Sequence, residues 1–206
     1  MTGRKVTGRD AQAELDAFLR ELRACTVCAA HLPLGPRPIV RGNASARLLI
    51  TSQAPGTRVH ETGLTFNDRS GDVLRGWLAV DRDIFYDEDR IAIVPMGFCY
   101  PGRGAQGGDL PPRKECAPLW HARLLPHYPR IGLTLLVGSY AINYYLKGRT
   151  QRTMVETVRN WREYLPDFFP LPHPSWRNVL WMRQNPWFEA EVLPELRRRV
   201  HALIGK

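Results

Sequence analysis

The sequence predicts an α/β fold built on a parallel sheet with both faces covered. Two observations carry that reading. Four short apolar runs, at 47–52, 90–96, 133–138 and 168–172, alternate with helical stretches. Three chemically unusual loops, at 52–68, 97–112 and 173–181, each follow one of those runs. Sheets of this kind form their sites beyond the carboxyl ends of the strands. The three loops are therefore expected to wall one cleft.

The elements follow in order. Residues 10–24, DAQAELDAFLRELRA, place Leu15, Phe18, Leu19 and Leu22 on one helical face, with Asp10 as N-cap. Residues 25–46 are rich in Cys, Pro and Gly and predict irregular chain. RLLITS (47–52) predicts the first strand, and a long polar loop follows it. RSGDVLRGWLAV (69–80) predicts a helix, and RIAIVPM (90–96) the second strand. GFCYPGRGAQGGDLPP (97–112) is a glycine-rich loop. RKECAPLWHARLLPHY (113–128) reads as helix despite Pro118. LTLLVG (133–138) is the third strand, with a short helix from Ser139, and FFPLP (168–172) is the fourth. A last helix is expected after Asn185, with Pro186 in its first position, Trp187 and Phe188 packed inward, and a kink at Pro194.

A chain of 206 residues predicts one domain spanning 1–206, with the N-terminal helix and Cys-x2-Cys segment (10–45) leading into a core over 46–206. No apolar run approaches the ~20 residues that cross a bilayer, and the first residues lack a secretory apolar segment. A cytoplasmic protein with no membrane partner is expected. The net charge of +9 leaves two readings, a solvated basic surface or a polyanionic partner.

Cys25 and Cys28 form a C-x2-C pair, and Cys99 and Cys116 follow far downstream. Four thiolates suit Zn2+ or an iron–sulfur cluster. The alternative is that Cys99 and Cys116 are small buried apolar residues. His173-Pro174-Ser175 fixes an imidazole at a strand exit, and Ser175 can bond a phosphate. Asp109 follows two glycines that would let a ligand approach the backbone. The loop at 51–71 also holds Gln53, His60 and the Asn67–Asp68 pair.

Together these pieces resemble the uracil-DNA glycosylase superfamily, most of all its iron–sulfur family 4 type. Ser52-Gln53-Ala54-Pro55-Gly56 is similar to that branch's Gly-Glu-Ala/Gly-Pro-Gly motif, and Thr62-Gly63-Leu64-Thr65-Phe66 to its Thr-Gly-x-x-Phe segment. His173-Pro174-Ser175 is similar to its second motif, and Cys25, Cys28, Cys99 and Cys116 to its cluster ligands. The resemblance covers about residues 20–200. It implies a three-layer α/β/α sandwich with a four-stranded parallel sheet. It also implies a [4Fe–4S] cluster, with Zn2+ as the alternative.

The implied activity is hydrolysis of the N-glycosidic bond of a damaged base flipped out of single- or double-stranded DNA, uracil first. Hypoxanthine, xanthine and oxidised pyrimidines stay open. His173 would face the base's carbonyl oxygen, Gln53 the water or the base, and Phe66 the base's flat face. Ala54, Pro55 and Gly56 would wrap the base, with Asn67, Asp109 and Ser175 close by. Trp176, Arg177 and Leu180 would enter the DNA. The chain departs from the pattern at Gln53, where the branch has Glu, and at Pro95, where an asparagine reads uracil. His60, Asp68 and Asp109 are the candidate substitutes. Two other functions fit the same features: a protein that binds damaged or abasic DNA without efficient turnover, or a nucleoside or nucleotide enzyme.

Overall fold

The computed structural model describes residues 8–175 and 179–206. The elements run α1 (Gly8–Arg23), β1 (Leu48–Thr51), α2 (Thr57–Thr62), α3 (Arg69–Leu78), α4 (Arg82–Tyr86), β2 (Ile91–Ile93), α5 (Cys116–Leu124), β3 (Leu133–Val137), α6 (Ser139–Tyr145), α7 (Met154–Arg159), β4 (Phe168–Leu171), α8 (Val179–Gln184) and α9 (Leu193–Ile204). The four strands form one sheet in the order β2-β1-β3-β4. Every pair is parallel, with Leu48 beside Ile91 and Leu133, and Thr134 beside Phe168. The expected α/β sheet is the one observed.

Strand alternation sorts the side chains into two cores. Leu48, Ile50, Ile91 and Ile93 enter the larger one with Leu74, Trp77 and Leu78 of α3 and Leu196 and Val200 of α9. Leu49, Ala92 and Val94 enter the other with Leu15, Leu19 and Leu22 of α1 and Trp120 and Leu124 of α5. A sheet buried on both faces has apolar residues at successive positions, which is why LLIT reads as an unbroken run. Each fully buried leucine contributes roughly 1.5–3 kcal/mol.

Polar contacts lock α9 onto the end of α3. Arg197 donates from Nε to Trp77 O at 3.0 Å, and His201 Nε2 lies 2.9 Å from Leu78 O. Lys206 reaches Ala79 O. Donors at a helix C-terminus meet carbonyls that have no partner within the helix.

The segment at 39–41 returns antiparallel along the outer edge of β2. Arg41 N donates to Ile93 O at 3.1 Å, Ile93 N to Arg41 O at 2.8 Å, and Ile39 N to Phe98 O at 2.8 Å. That pairing carries the Cys25–Cys28 region to the chain that follows β2.

Several boundaries differ from expectation. The loop expected over 52–68 is interrupted by α2, which Gly63 ends in a left-handed conformation. The helices α4 and α7 lie where none was expected. Helix α1 starts two residues before Asp10, which falls in its first turn. The helix expected over 113–128 is α5 followed by a 3-10 turn over Leu125–His127. Pro194 falls where a π-helical turn over Phe188–Val192 passes directly into α9, so the helical run is irregular next to the residue that cannot donate. Phe188 is fully buried in the larger core, as expected.

Candidate active site and cysteine centre

A cleft of about 880 Å3 opens at the carboxyl end of the sheet. It gathers Ser52, Gln53, Ala54, Pro55 and Gly56 after β1, Pro95 after β2, Gly138 after β3, and His173 and Ser175 after β4. Phe66, Asp68 and Asp109 complete the expected set. The loops at 52–68 and 97–112 and the start of 173–181 therefore share one cleft.

The first wall is held by an extension of the sheet. Met96 N donates to Ser52 O at 2.7 Å and Gly97 N to Gln53 O at 2.9 Å. Pro95 lines the cleft and has no N–H. Its carbonyl faces His121 Nε2 at 3.0 Å. A carbonyl only accepts, so Nε2 carries the proton and Nδ1 accepts from Tyr145 OH at 2.5 Å. The neutral tautomer is the one this arrangement requires. Burial pushes the His121 pKa down to about 4.

Phe66 forms the second wall in an uncommon backbone conformation. Its φ is +53°, in the left-handed region that bulky residues avoid. Tyr86 OH donates toward Thr65 O at 2.8 Å and stands 3.1 Å from Phe66 O. Arg75 Nη1 reaches Phe66 O at 3.4 Å, while its Nη2 pairs with Asp72 at 2.6 Å. Beneath them, a Cβ at Gly71 would lie 1.8 Å from Phe66 O, so only glycine fits. The ring of Phe66 packs edge-on against Phe85.

His173 comes from the exit of β4. Gly138, at φ +87°, lets the end of β3 pass close, since a Cβ there would stand 3.3 Å from His173 Cβ. Burial pushes the His173 pKa down, and the charge of Asp68 pulls it up. Asp68 is also the N-cap of α3, accepting from Gly71 N at 3.1 Å. The Asp109 carboxylate lies over the Gly56 backbone. Its pKa is raised by burial of the carboxyl end and by Asp68, and lowered by Arg103.

Other expected site residues lie elsewhere. His60 is not among the cleft-lining residues. Its ring faces Tyr100 with centroids 5.9 Å apart, and its Nδ1 is buried without a partner. Burial, then Arg37, pushes its pKa down. Asn67 accepts from Arg82 at 3.2 Å and is also outside the lining. Leu180, on α8, is 67% exposed. Trp176 and Arg177 lie outside the described residues.

The cleft adds Thr65, Met154, Ser139, Arg58 and Arg69, none of which the sequence singled out for a role. Arg58 and Arg69 stand within the loop already marked as chemical, which was the available signal. Met154 comes from a distant segment and gave none.

A second, smaller cavity is lined by Cys25, Cys28, Cys99 and Cys116 together, with Phe98, Arg113 and Trp120. The chain return at 39–41 brings the two pairs into register. One of the sulfurs meets a backbone N–H donor. Phe98 N donates to Cys116 Sγ at 3.4 Å, while the Arg37 backbone near Cys99 and the Arg113 side chain near Cys28 favour the thiolate forms. Burial pushes the Cys28 and Cys99 thiols up and the Cys116 thiol to about 12. Among the described residues, no group of three or more His, Cys, Asp or Glu is arranged to hold a single metal ion.

A protein-family model described as the uracil DNA glycosylase superfamily matches residues 39–197.

Proposed function

The chain belongs to the uracil DNA glycosylase superfamily, and from that premise we propose that it excises a damaged base, uracil first, from DNA. The observation that carries the proposal is the meeting of Gln53, Phe66, Asp68, Asp109 and His173 in one cleft. Loops from all four strand ends supply that cleft, so a flipped nucleotide can be enclosed on several sides.

Each side chain then has a task. The glycosidic bond breaks as positive charge grows on the sugar and negative charge on the leaving base. The flat face of the base stacks on Phe66. Burial keeps His173 neutral at neutral pH. A neutral imidazole donates one N–H to the carbonyl oxygen where negative charge collects. Asp68 and Asp109 bring carboxylates into the cleft that favours a cationic sugar, and with Gln53 they can orient the incoming water. Water adds to the sugar carbon, and its proton passes to the cleft or solvent, leaving an abasic site and the free base.

We also propose the family 4 relationship, with a [4Fe–4S] cluster held by Cys25, Cys28, Cys99 and Cys116. Their common cavity and the backbone N–H that Phe98 turns on Cys116 support it, since such donors tune cluster thiolates. Zn2+ held by the same four thiolates is the alternative. The cluster would tie the N-terminal segment to the 97–112 wall of the cleft.

The test uses anaerobically purified protein and oligonucleotides carrying uracil, hypoxanthine, xanthine or only normal bases, with alkali to reveal abasic sites. Strand scission at a damaged base is expected, with a fall of at least about 100-fold in His173→Ala. A folded protein that binds these duplexes but releases no base would replace excision with damage binding.

A further inference from the structure

Thr65 stands in the cleft wall beside Phe66 and is only 4% exposed. Its hydroxyl is buried and has no hydrogen-bond partner. An unmet buried hydroxyl lowers stability, so its presence asks for a reason.

The surrounding residues fix where Thr65 sits. Tyr86 holds the Thr65 carbonyl at 2.8 Å, and Arg75 holds the next carbonyl, that of Phe66. Gly71 lies directly beneath that carbonyl. The backbone of both wall residues is thereby anchored from behind, away from the cleft.

Polar lining comes from Gln53, Asp68, Asp109 and His173, whereas the Pro95 position, where the resemblance places the reader of the base, supplies no polar side chain. Pro95 has no N–H, and its carbonyl is held by His121 behind the wall. Ile93 and Met154 add only apolar surface, and Phe66 offers a ring face. A base that enters this cleft and stacks on Phe66 has Thr65 as the preceding residue of the same wall.

We propose that Thr65 is a specificity-determining residue whose hydroxyl, sealed from solvent in the free protein, turns about the Cα–Cβ bond to meet the edge of the flipped base. The inference rests on the base-excision reading above. A hydroxyl donates to a carbonyl oxygen and accepts from a ring N–H. It therefore suits a lactam edge, where those groups are neighbours, as in uracil, hypoxanthine and xanthine. The stability lost in the free protein is regained when the base supplies the partner.

The test compares wild type with Thr65→Val, which keeps the shape and removes the hydroxyl, and with Thr65→Ser, which keeps the hydroxyl. Thermal unfolding and steady-state base release are measured on each. The expected result for Thr65→Val is an equal or higher Tm, a KM raised about 10-fold and kcat within about 2-fold. Thr65→Ser restores most of the affinity. A purely structural hydroxyl would give a lower Tm with KM unchanged, and that result overturns the proposal. An unchanged KM at any Tm also overturns it.

If wild type releases no base from any duplex, the excision reading fails. Thr65 is then judged by saturation-transfer NMR with free uracil and free hypoxanthine, which needs no turnover. Signal in wild type that is lost in Thr65→Val supports the assignment. Equal signal in both, or none in wild type, rejects it.

Discussion

His121 is 1% exposed, stacked on Phe98, and bonded at both ring nitrogens. Tyr144 and Tyr145 are the titratable groups whose rings meet it. Its folded pKa of about 4 lies below the ordinary value of 6.5. In acid the unfolded chain binds a proton that the folded chain refuses. The stabilisation is therefore complete above pH 6.5 and is lost as pH falls toward 4. Between pH 7.5 and 5.0 this one residue accounts for about 2 kcal/mol. Urea unfolding at the two pH values measures it. His121→Gln is less stable at both, with a pH dependence smaller by about that amount. An identical pH dependence in the variant would exclude His121 as the cause.

At the scale of elements, the cysteine cavity joins pieces that the backbone alone connects loosely. Cys25 and Cys28 follow α1, Cys99 follows β2, and Cys116 opens α5. Cys99→Ala is expected to lower Tm and solubility together, with loss of iron and of visible colour. Iron analysis, absorbance and thermal unfolding on the same preparation test this. A colourless variant as stable and active as wild type would refute the proposed role. The strands could be read from the sequence because burial on both faces leaves nearly uninterrupted apolar runs. The helices α2, α4 and α7 could not, because five or six residues are too few to display a 3.6-residue period. In the cleft, the positions of Gln53, Phe66 and His173 were legible from motif and order. Asp68 read as a candidate catalytic group, and the fold shows that it also caps a helix. The Thr65 hydroxyl, the Arg75–Tyr86 anchor and the His121 bond to Pro95 depend on contacts between distant segments. No local pattern encodes them.

At the scale of the molecule, the net charge of +9 gains a direction from Arg58 and Arg69, both exposed residues lining the cleft. Each phosphate neutralised by such a group releases counterions, so affinity falls linearly with salt on logarithmic axes. Fluorescence anisotropy with a short duplex, from about 50 to 200 mM salt, should give a steep slope. Arg58→Ala and Arg69→Ala should each weaken binding across all sequences and reduce the slope by about 1. A slope unchanged in both variants would place the phosphate contacts elsewhere.

The return of residues 39–41 along β2 has a consequence for how the molecule behaves in a crowd. The outer edge of a sheet is a template on which foreign strands can grow. Here the backbone groups of Ile93 already bond Arg41 in both directions. The arm that brings in the first two sulfurs is thus also a guard against self-association. A chain in which that arm had come away would bare a strand edge as well as lose its hold on the cysteine cavity, and aggregation would follow.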